Sequence, residues 1–424
     1  MRSRRFHLLL LFLLLLFARR LLLAQQSFRL QAVHIVGSKR FPEHDLVAAS
    51  GLEVGSTVDL DALKQAADRL MQTGVLASLQ YQYTPLSTGL QVEYTAADAP
   101  DFLPCRYDNI VWIGADELTK AVHDKVPLYD GSAPTSGDLI DQIASAISEV
   151  LAKSGIMTKV RYELHTRGIG GPVDAISFVS DTVKPKVQEI TLLGANLLTP
   201  QEKAENTKRL IGDSYSATEI RESLTGGLFF LYGNKGYLRV QVGEPEAKVV
   251  GDPQQGIVAV TVPVTEGAQY RWHEIEWSGN SAIPTANLQR LAPVRAGSVV
   301  DHGAFDQEMD AIHTLYTSKG YLRIKLQRTP SFNDQDHTVA YAINIIEGDQ
   351  FRMGALQIAG LDPGVVAELQ KKWKMQPGEP YDEGYLASFL HDNSPLINGH
   401  GRSRTLKSIV APTADKTVNV TLQF

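Results

Sequence analysis

The chain has 424 residues, 43% of them hydrophobic and 21% charged, a composition that supports packed cores in several domains and excludes a disordered polypeptide. Its formal charge of −6 becomes −11 once residues 1–24, with five arginines and no acid, are set aside. That acidity argues against nucleic acid as a partner, because phosphate binding needs a basic surface. Cys105, the single cysteine, excludes intrachain disulfides and cysteine-based metal clusters.

The first segment reads as an export signal. Residues 1–5 are basic and 8–17 form a Leu/Phe run that ends near the small residue Ala24. The run is shorter than the roughly 20 apolar residues a membrane-spanning helix needs. Arg19, Arg20 and Leu22 make a poor cleavage site, so a retained N-terminal anchor is the alternative reading.

Five apolar runs beyond residue 24 each close on a glycine: Gly37, Gly114, Gly194, Gly279 and Gly360, spaced by 77, 80, 85 and 81 residues. A second glycine follows 18 residues later at Gly55, Gly212, Gly297 and Gly378, and 17 later at Gly131. A period of this size marks a repeated domain. Within each unit the pattern predicts strand, helix, helix, strand, strand. The first strand alternates apolar and polar residues and stops at a glycine able to adopt positive φ.

In the fourth unit Pro284 starts a short helix, and Phe305, Met309, Ile312, Leu315 and Tyr316 mark the buried stripe of a longer one. Asp59, Ser216, Asp301 and Asp382 read as N-caps of these second helices. Their ends are marked by Gly74, Gly155, Gly236 and Gly320. The expected domains are 27–98, 104–184, 186–267, 270–349 and 351–424. Short linkers predict an elongated rod of α+β modules, each a three-stranded mixed sheet covered by two helices.

The order β-α-α-β-β over about 80 residues resembles the POTRA domain. The resemblance rests on G-N at 279–280, K-G-Y-L-R at 235–239 and 319–323, and E-G closing two units at Gly267 and Gly348. The chain looks most like the five-POTRA periplasmic arm of BamA-type outer-membrane assembly proteins, and more distantly like TamA and two-partner secretion transporters, a surface antigen-like pattern. Those relatives continue into a β-barrel, whereas this sequence stops at Phe424. Unit two has an enlarged loop at 127–137, and unit five has Pro395 where its second helix should continue.

The resemblance implies the sheet order first–third–second, which leaves the second strand at an open edge able to pair with another polypeptide. The expected edges are 79–83, 158–164, 238–242, 322–327 and 404–410. The sharpest candidates on them are Leu238, Arg239, Val240, Leu322, Arg323, Ile324 and Lys325. Basic residues there either attract acidic client segments or guard the edge against aggregation, and the second reading is the commoner one. Tyr237 and Tyr321 read as packing on a sheet rim, and Trp272 and Trp277 as an interdomain contact.

No catalytic constellation emerges. The eleven histidines lack metal-ligand spacing, R-G-I-G-G at 167–171 reads as a hairpin turn, and Cys105 reads as an inert thiol. The expectation is a scaffold without cofactor or enzymatic activity, located in the periplasm and associated indirectly with the outer membrane. Its partners are unfolded outer-membrane precursors or a separately encoded barrel protein. A structural tether in the envelope or division machinery is the competing reading.

Overall fold

The structure is a computed structural model that describes residues 27–166, 170–293, 295–398 and 407–424. The export segment, most of the 167–171 turn and Arg404 lie outside the described residues. The chain separates into two compact units. The first comprises residues up to 193 with 198–223 and 243–263, and the second comprises 194–197, 224–242 and 264–424.

The first unit opens with β1 (Phe28–Val36), α1 (Glu43–Ser50), β2 (Thr57–Val58), α2 (Leu60–Gln72), β3 (Leu76–Leu86) and β4 (Gly89–Asp98). Their sheet runs β2-β1-β4-β3, with β1 parallel to β4 and β3 antiparallel to it. Asp59 caps α2 by accepting from Ala62 N–H at 2.7 Å. The helix buries Leu63, Ala66 and Leu70 against Leu30, Leu90 and Tyr94, and the Tyr94 hydroxyl donates to Leu63 O.

The second module has β5 (Leu103–Tyr107), α3 (Ala115–His123), β6 (Ser132–Ala133), α4 (Leu139–Lys153), β7 (Val160–Thr166) and β8 (Val173–Ser180), in the order β6-β5-β8-β7. Here the expectation of a strand-ending turn at Gly114 is corrected. β5 stops at Tyr107, and Gly114 is the N-cap of α3 with φ −62°. The cause is Asn109, whose side chain accepts from Ser180 N–H (2.6 Å) and donates to Ser180 O (3.1 Å). It occupies backbone groups that a longer first strand would have used. The unit also holds β9 (Lys186–Leu193), α5 (Pro200–Thr207) and β11 (Glu246–Val249). A capping box between Thr199 and Glu202, with Pro200 at the first turn, sets the start of α5.

The third module continues into the second unit. Its second helix is α6 (Ala217–Gly233), followed by β10 (Gln241–Val242), and its central strand is β12 (Ile257–Thr265). Next come β13 (Arg271–Ser278), α7 (Thr285–Leu291), α8 (His302–Thr317), β14 (Lys325–Asn333) and β15 (Thr338–Ile346), ordered β13-β15-β14. The last module has β16 (Arg352–Ala359), α9 (Pro363–Lys372), α10 (Tyr385–Asp392), α11 (Ser394–Asn398), β17 (Lys407–Pro412) and β18 (Thr417–Gln423), ordered β16-β18-β17. Pro395 and the turn at Asn393 split its second helix in two. Asp382 is no N-cap there: it accepts from Gly384 N–H one turn ahead of α10. Trp272 is buried in the core of its own module against Phe305 and Tyr341, a core that Leu238 of the preceding module also enters.

The two sets of glycines do different work. Gly37, Gly194, Gly279 and Gly360 have φ between +75° and +97°, and a Cβ on any of them would overlap a backbone carbonyl at the end of the central strand. The second set, Gly55, Gly212, Gly297 and Gly378, also has positive φ but faces open space. Its N–H groups donate to Leu30, Val187, Trp272 and Met353 carbonyls at 2.7–2.8 Å. Each thereby pins the interhelix segment to the outer side of the first strand, through β2 in the first module and through single bridges such as Arg271↔Val299 in later ones.

These two environments predict different tolerances. Gly297→Ala pays mainly for the left-handed backbone, about 1 kcal/mol. Gly279→Ala adds overlap with Ile345 O and should lose about 3 kcal/mol or more. Urea unfolding followed by tryptophan fluorescence separates the two values.

Candidate functional site

Two kinds of place leave backbone groups or anchoring side chains directed outside a module: the second-strand edges and the turns that follow the second helix. Glycines end those helices at Gly74, Gly155, Gly236 and Gly320, all with φ between +79° and +86°. Past Gly236 and Gly320 the chain does not enter a strand at once. Leu238–Arg239 and Leu322–Arg323 form turns, and of the seven candidate edge residues only Lys325 lies in a strand.

Burial explains the shift. Leu238, 7% exposed, belongs to the core formed by Tyr270, Trp272 and Phe305 of the following module. Leu322 packs likewise against the last module's core. Ile324, also 7% exposed, is held in the core of the fourth module. Val240 lies between the turn and β10. The leucine of K-G-Y-L-R is therefore an anchor, and no edge can begin until it has been buried.

The rest of the motif completes a joint. Gly236 O accepts from Tyr270 N–H (2.8 Å) and Gly320 O from Phe351 N–H (2.7 Å). Lys235 O and Lys319 O accept from the side-chain amides of Gln269 and Gln350, both at 2.9 Å. The Arg239 guanidinium lies over the Phe332 ring at 4.4 Å and pairs with Asp334 at 2.9 Å, while Arg323 lies over Phe351 at 5.2 Å. The Tyr270 hydroxyl and Arg239 together hold the Asp334 carboxyl below its ordinary range. Tyr237 and Tyr321 stack edge-on against Tyr232 and Tyr316. The sequence signal for this joint is a second repeat, E-G-x-Q-aromatic at 266–270 and 347–351, whose glutamine and aromatic were not singled out from the sequence.

The glutamates of that repeat latch the loop after the first strand. Glu347 accepts from the Tyr316 hydroxyl (3.1 Å) and Ala282 N–H (2.8 Å), and Glu266 accepts from the Tyr232 hydroxyl (2.7 Å) and Leu197 N–H (2.8 Å). Asp98 has the same place in the first module, accepting from Lys39 and Arg40 N–H. Burial raises its carboxyl pKa, but the Ser38, Lys39 and Arg40 donors outweigh that and leave it below the usual value.

Among the described residues the second strands β3, β7, β14 and β17 are each paired on one side only. They are not alike. In β3, Tyr81 and Tyr83 stand opposite the buried Tyr94 and Val92 yet remain exposed, as do Tyr162 and Leu164 in β7 opposite Phe178 and Ile176. In β14 the corresponding Arg328 pairs with Asp306 and covers the Phe305 ring. The third module's edge is broken between β10 and β11, where Gly243 keeps one bond to Pro263 O and Pro245 O accepts from the Tyr215 hydroxyl. Cys105 is no part of any edge, and burial pushes its thiol up to about 12.

A β-α-α-β-β unit in the sheet order first–third–second defines a small α+β module repeated in tandem. Residues 270–348 match the family model described as POTRA, surface antigen variable number repeat. The chain is 24% identical over 164 residues to a protein of Treponema pallidum (strain Nichols) whose name proposes it as an outer membrane protein assembly factor. That match spans 38% of this chain and 20% of the relative. Among solved structures, Haemophilus influenzae BamA POTRA3-5 is similar with TM-score 0.40 and 18% identity, over 57% of this chain and 96% of that one. The N-terminal domain of Omp85 from Thermosynechococcus elongatus gives TM-score 0.19 and 13% identity, over 76% and 97%. The family match is confined to 270–348, and the chain spans about a fifth of the curated relative it matches.

The joint and the latch are separately testable. Leu238→Ala should cost about 2–4 kcal/mol, because it removes a buried side chain from a core it enters from outside. Glu347→Ala should cost about 1–3 kcal/mol by leaving Ala282 N–H and the Tyr316 hydroxyl unpaired, and Tyr316→Phe about 1. Combining the last two should cost less than their sum, as a chemical-denaturation double-mutant cycle will show.

Proposed function

We propose that this protein is a binding scaffold, and not an enzyme, that assists outer-membrane protein assembly or translocation by pairing extended client segments with its open sheet edges. The observation that carries the reading is the set of second strands paired on one side only, above all β3 and β7. An unpaired strand offers N–H and C=O groups to any extended chain, and alternate side-chain positions set preference. The Treponema pallidum relative's name points to the same pathway. Clients on this reading are unfolded outer-membrane precursors or a separately encoded barrel protein. The chain acts in the periplasm after export by its N-terminal segment, and its membrane association is indirect.

The exposed Tyr81 and Tyr83, and Tyr162 and Leu164, present two apolar steps two residues apart along each edge. That spacing suits a client strand whose apolar residues also alternate, the pattern of barrel strands. On β14, Lys325 and the Arg328–Asp306 pair place charge along the edge, a guard against indiscriminate pairing. The anchored joints at Leu238 and Leu322 favour a second reading, a tether that spaces envelope components without touching clients.

Peptide binding distinguishes the two. A labelled peptide of about ten residues with alternating apolar side chains should bind the wild-type chain. In the neighbouring variants Gln80→Pro and Tyr81→Pro, the one whose N–H lies on the free side should keep its fold and bind about tenfold more weakly, roughly 1.4 kcal/mol. Absence of binding to the wild-type chain favours the tether.

A further inference from the structure

The joint between the second and third modules lies within the first compact unit and is built from polar groups. Arg106, Ser177 and Glu163 stand abreast on β5, β8 and β7. Residues 214–222, the start of α6 and the segment before it, face them across a cavity of about 450 Å3. Asp108 reaches over to cap α6: its carbonyl accepts from Ala217 N–H (3.0 Å) and its carboxylate from Thr218 N–H (2.8 Å). At the margin of the cavity His165, the next-to-last residue of β7, points one ring nitrogen at Asp174 of β8 (2.6 Å) and the other at Glu222 of α6 (3.3 Å). Its side chain is 17% exposed.

We propose that His165 is a proton-operated clasp that closes the joint between the second and third modules. A cationic imidazole donates from both nitrogens and satisfies both carboxylates at once, whereas a neutral ring has one N–H. The shorter contact, to Asp174, keeps that proton, and the bare nitrogen then faces the Glu222 carboxylate and repels it. Loss of one proton thus removes the only direct link His165 makes to α6 among the described residues.

The surrounding charges set where this happens. The hydrogen bond that His165 donates to Asp174 raises the imidazole pKa most, burial opposes it, Glu222 raises it further, and Arg106 lowers it, with a net shift upward. Glu163, Glu219 and Asp108 around the cavity favour the cation. Lys184 opposes it, and Arg161 is already engaged by Glu163 and Asp181. Because the folded value lies above the ordinary 6.5, the clasp is fully formed below about pH 6.5 and is lost as pH rises through the folded value. The closed joint is also poised to open. Ser177 Oγ, on a residue 6% exposed, and Arg106 Nη1 are buried without a hydrogen-bond partner among the described residues, so opening hydrates both.

Amide exchange of Ala217 and Thr218 in the full chain reads the joint, because among the described residues both N–H groups donate to Asp108 across it. With intrinsic exchange corrected for pH, protection should fall about fivefold or more through a midpoint above pH 6.5. Glu222→Gln should move that midpoint to lower pH, and His165→Phe should abolish the step with circular dichroism unchanged. Should His165→Phe not fold, a ring-proton NMR titration of His165 in wild type and Glu222→Gln gives the same comparison. The proposal fails if the wild type shows no step, if the step survives His165→Phe, or if Glu222→Gln leaves the midpoint in place.

Discussion

A sheet of three or four strands with two helices is barely large enough to exclude water from its own centre, since domains of well under 100 residues bury a smaller share of their surface than large ones. Everything else in this chain follows from how that shortage is met. The fourth module takes Leu238 from outside its own sequence boundaries, and the last takes Leu322, so neighbouring modules complete each other's cores. A module that lends a residue to its neighbour cannot rotate freely, because the anchor would have to leave a buried site. The hydrogen bonds from Tyr270 and Phe351 to the glycine carbonyls fix the same joint from the backbone side.

That arrangement explains why the carboxylates of this acidic protein sit where they do. Glu266, Glu347 and Asp98 are acceptors for loop N–H groups, and Asp334 receives both a tyrosine hydroxyl and an arginine. Their roles are to satisfy donors that a short sheet cannot satisfy through its own ladder. The joint between the second and third modules uses the same device with a different donor, a histidine between two carboxylates, and so, on the proposal above, responds to protons in the range where an imidazole titrates.

Function on the proposed reading comes from what the joints leave over. The second strand is paired on a single side in four of the sheets among the described residues, and the modules differ in how that edge is dressed. Exposed tyrosine and leucine steps mark β3 and β7, a charge pair covers β14, and a break at Gly243 shortens the third. A row of unequal edges can hold a client at some modules and pass over others, with selection made by side chains and adhesion by backbone.

The repeat, the element order and the strand-ending glycines were legible in the amino-acid sequence because each depends on a local requirement. A left-handed turn tolerates glycine whatever surrounds it, and a helix stripe shows its own period. Gly37, Gly194, Gly279 and Gly360 all take such turns, whereas Gly114 does not, because Asn109 and Ser180 claim the strand's partner groups from distant positions. Where each edge begins was likewise decided by tertiary structure. Leu238 and Leu322 read as strand residues from their own neighbours, yet their burial is in a core supplied by the next module. The K-G-Y-L-R motif could be seen in sequence, but its partner was visible only once the chain brought Gln269 and Gln350 back against it. Local conformational preference is written residue by residue; the choice between edge and anchor depends on which apolar surface arrives from elsewhere in the chain.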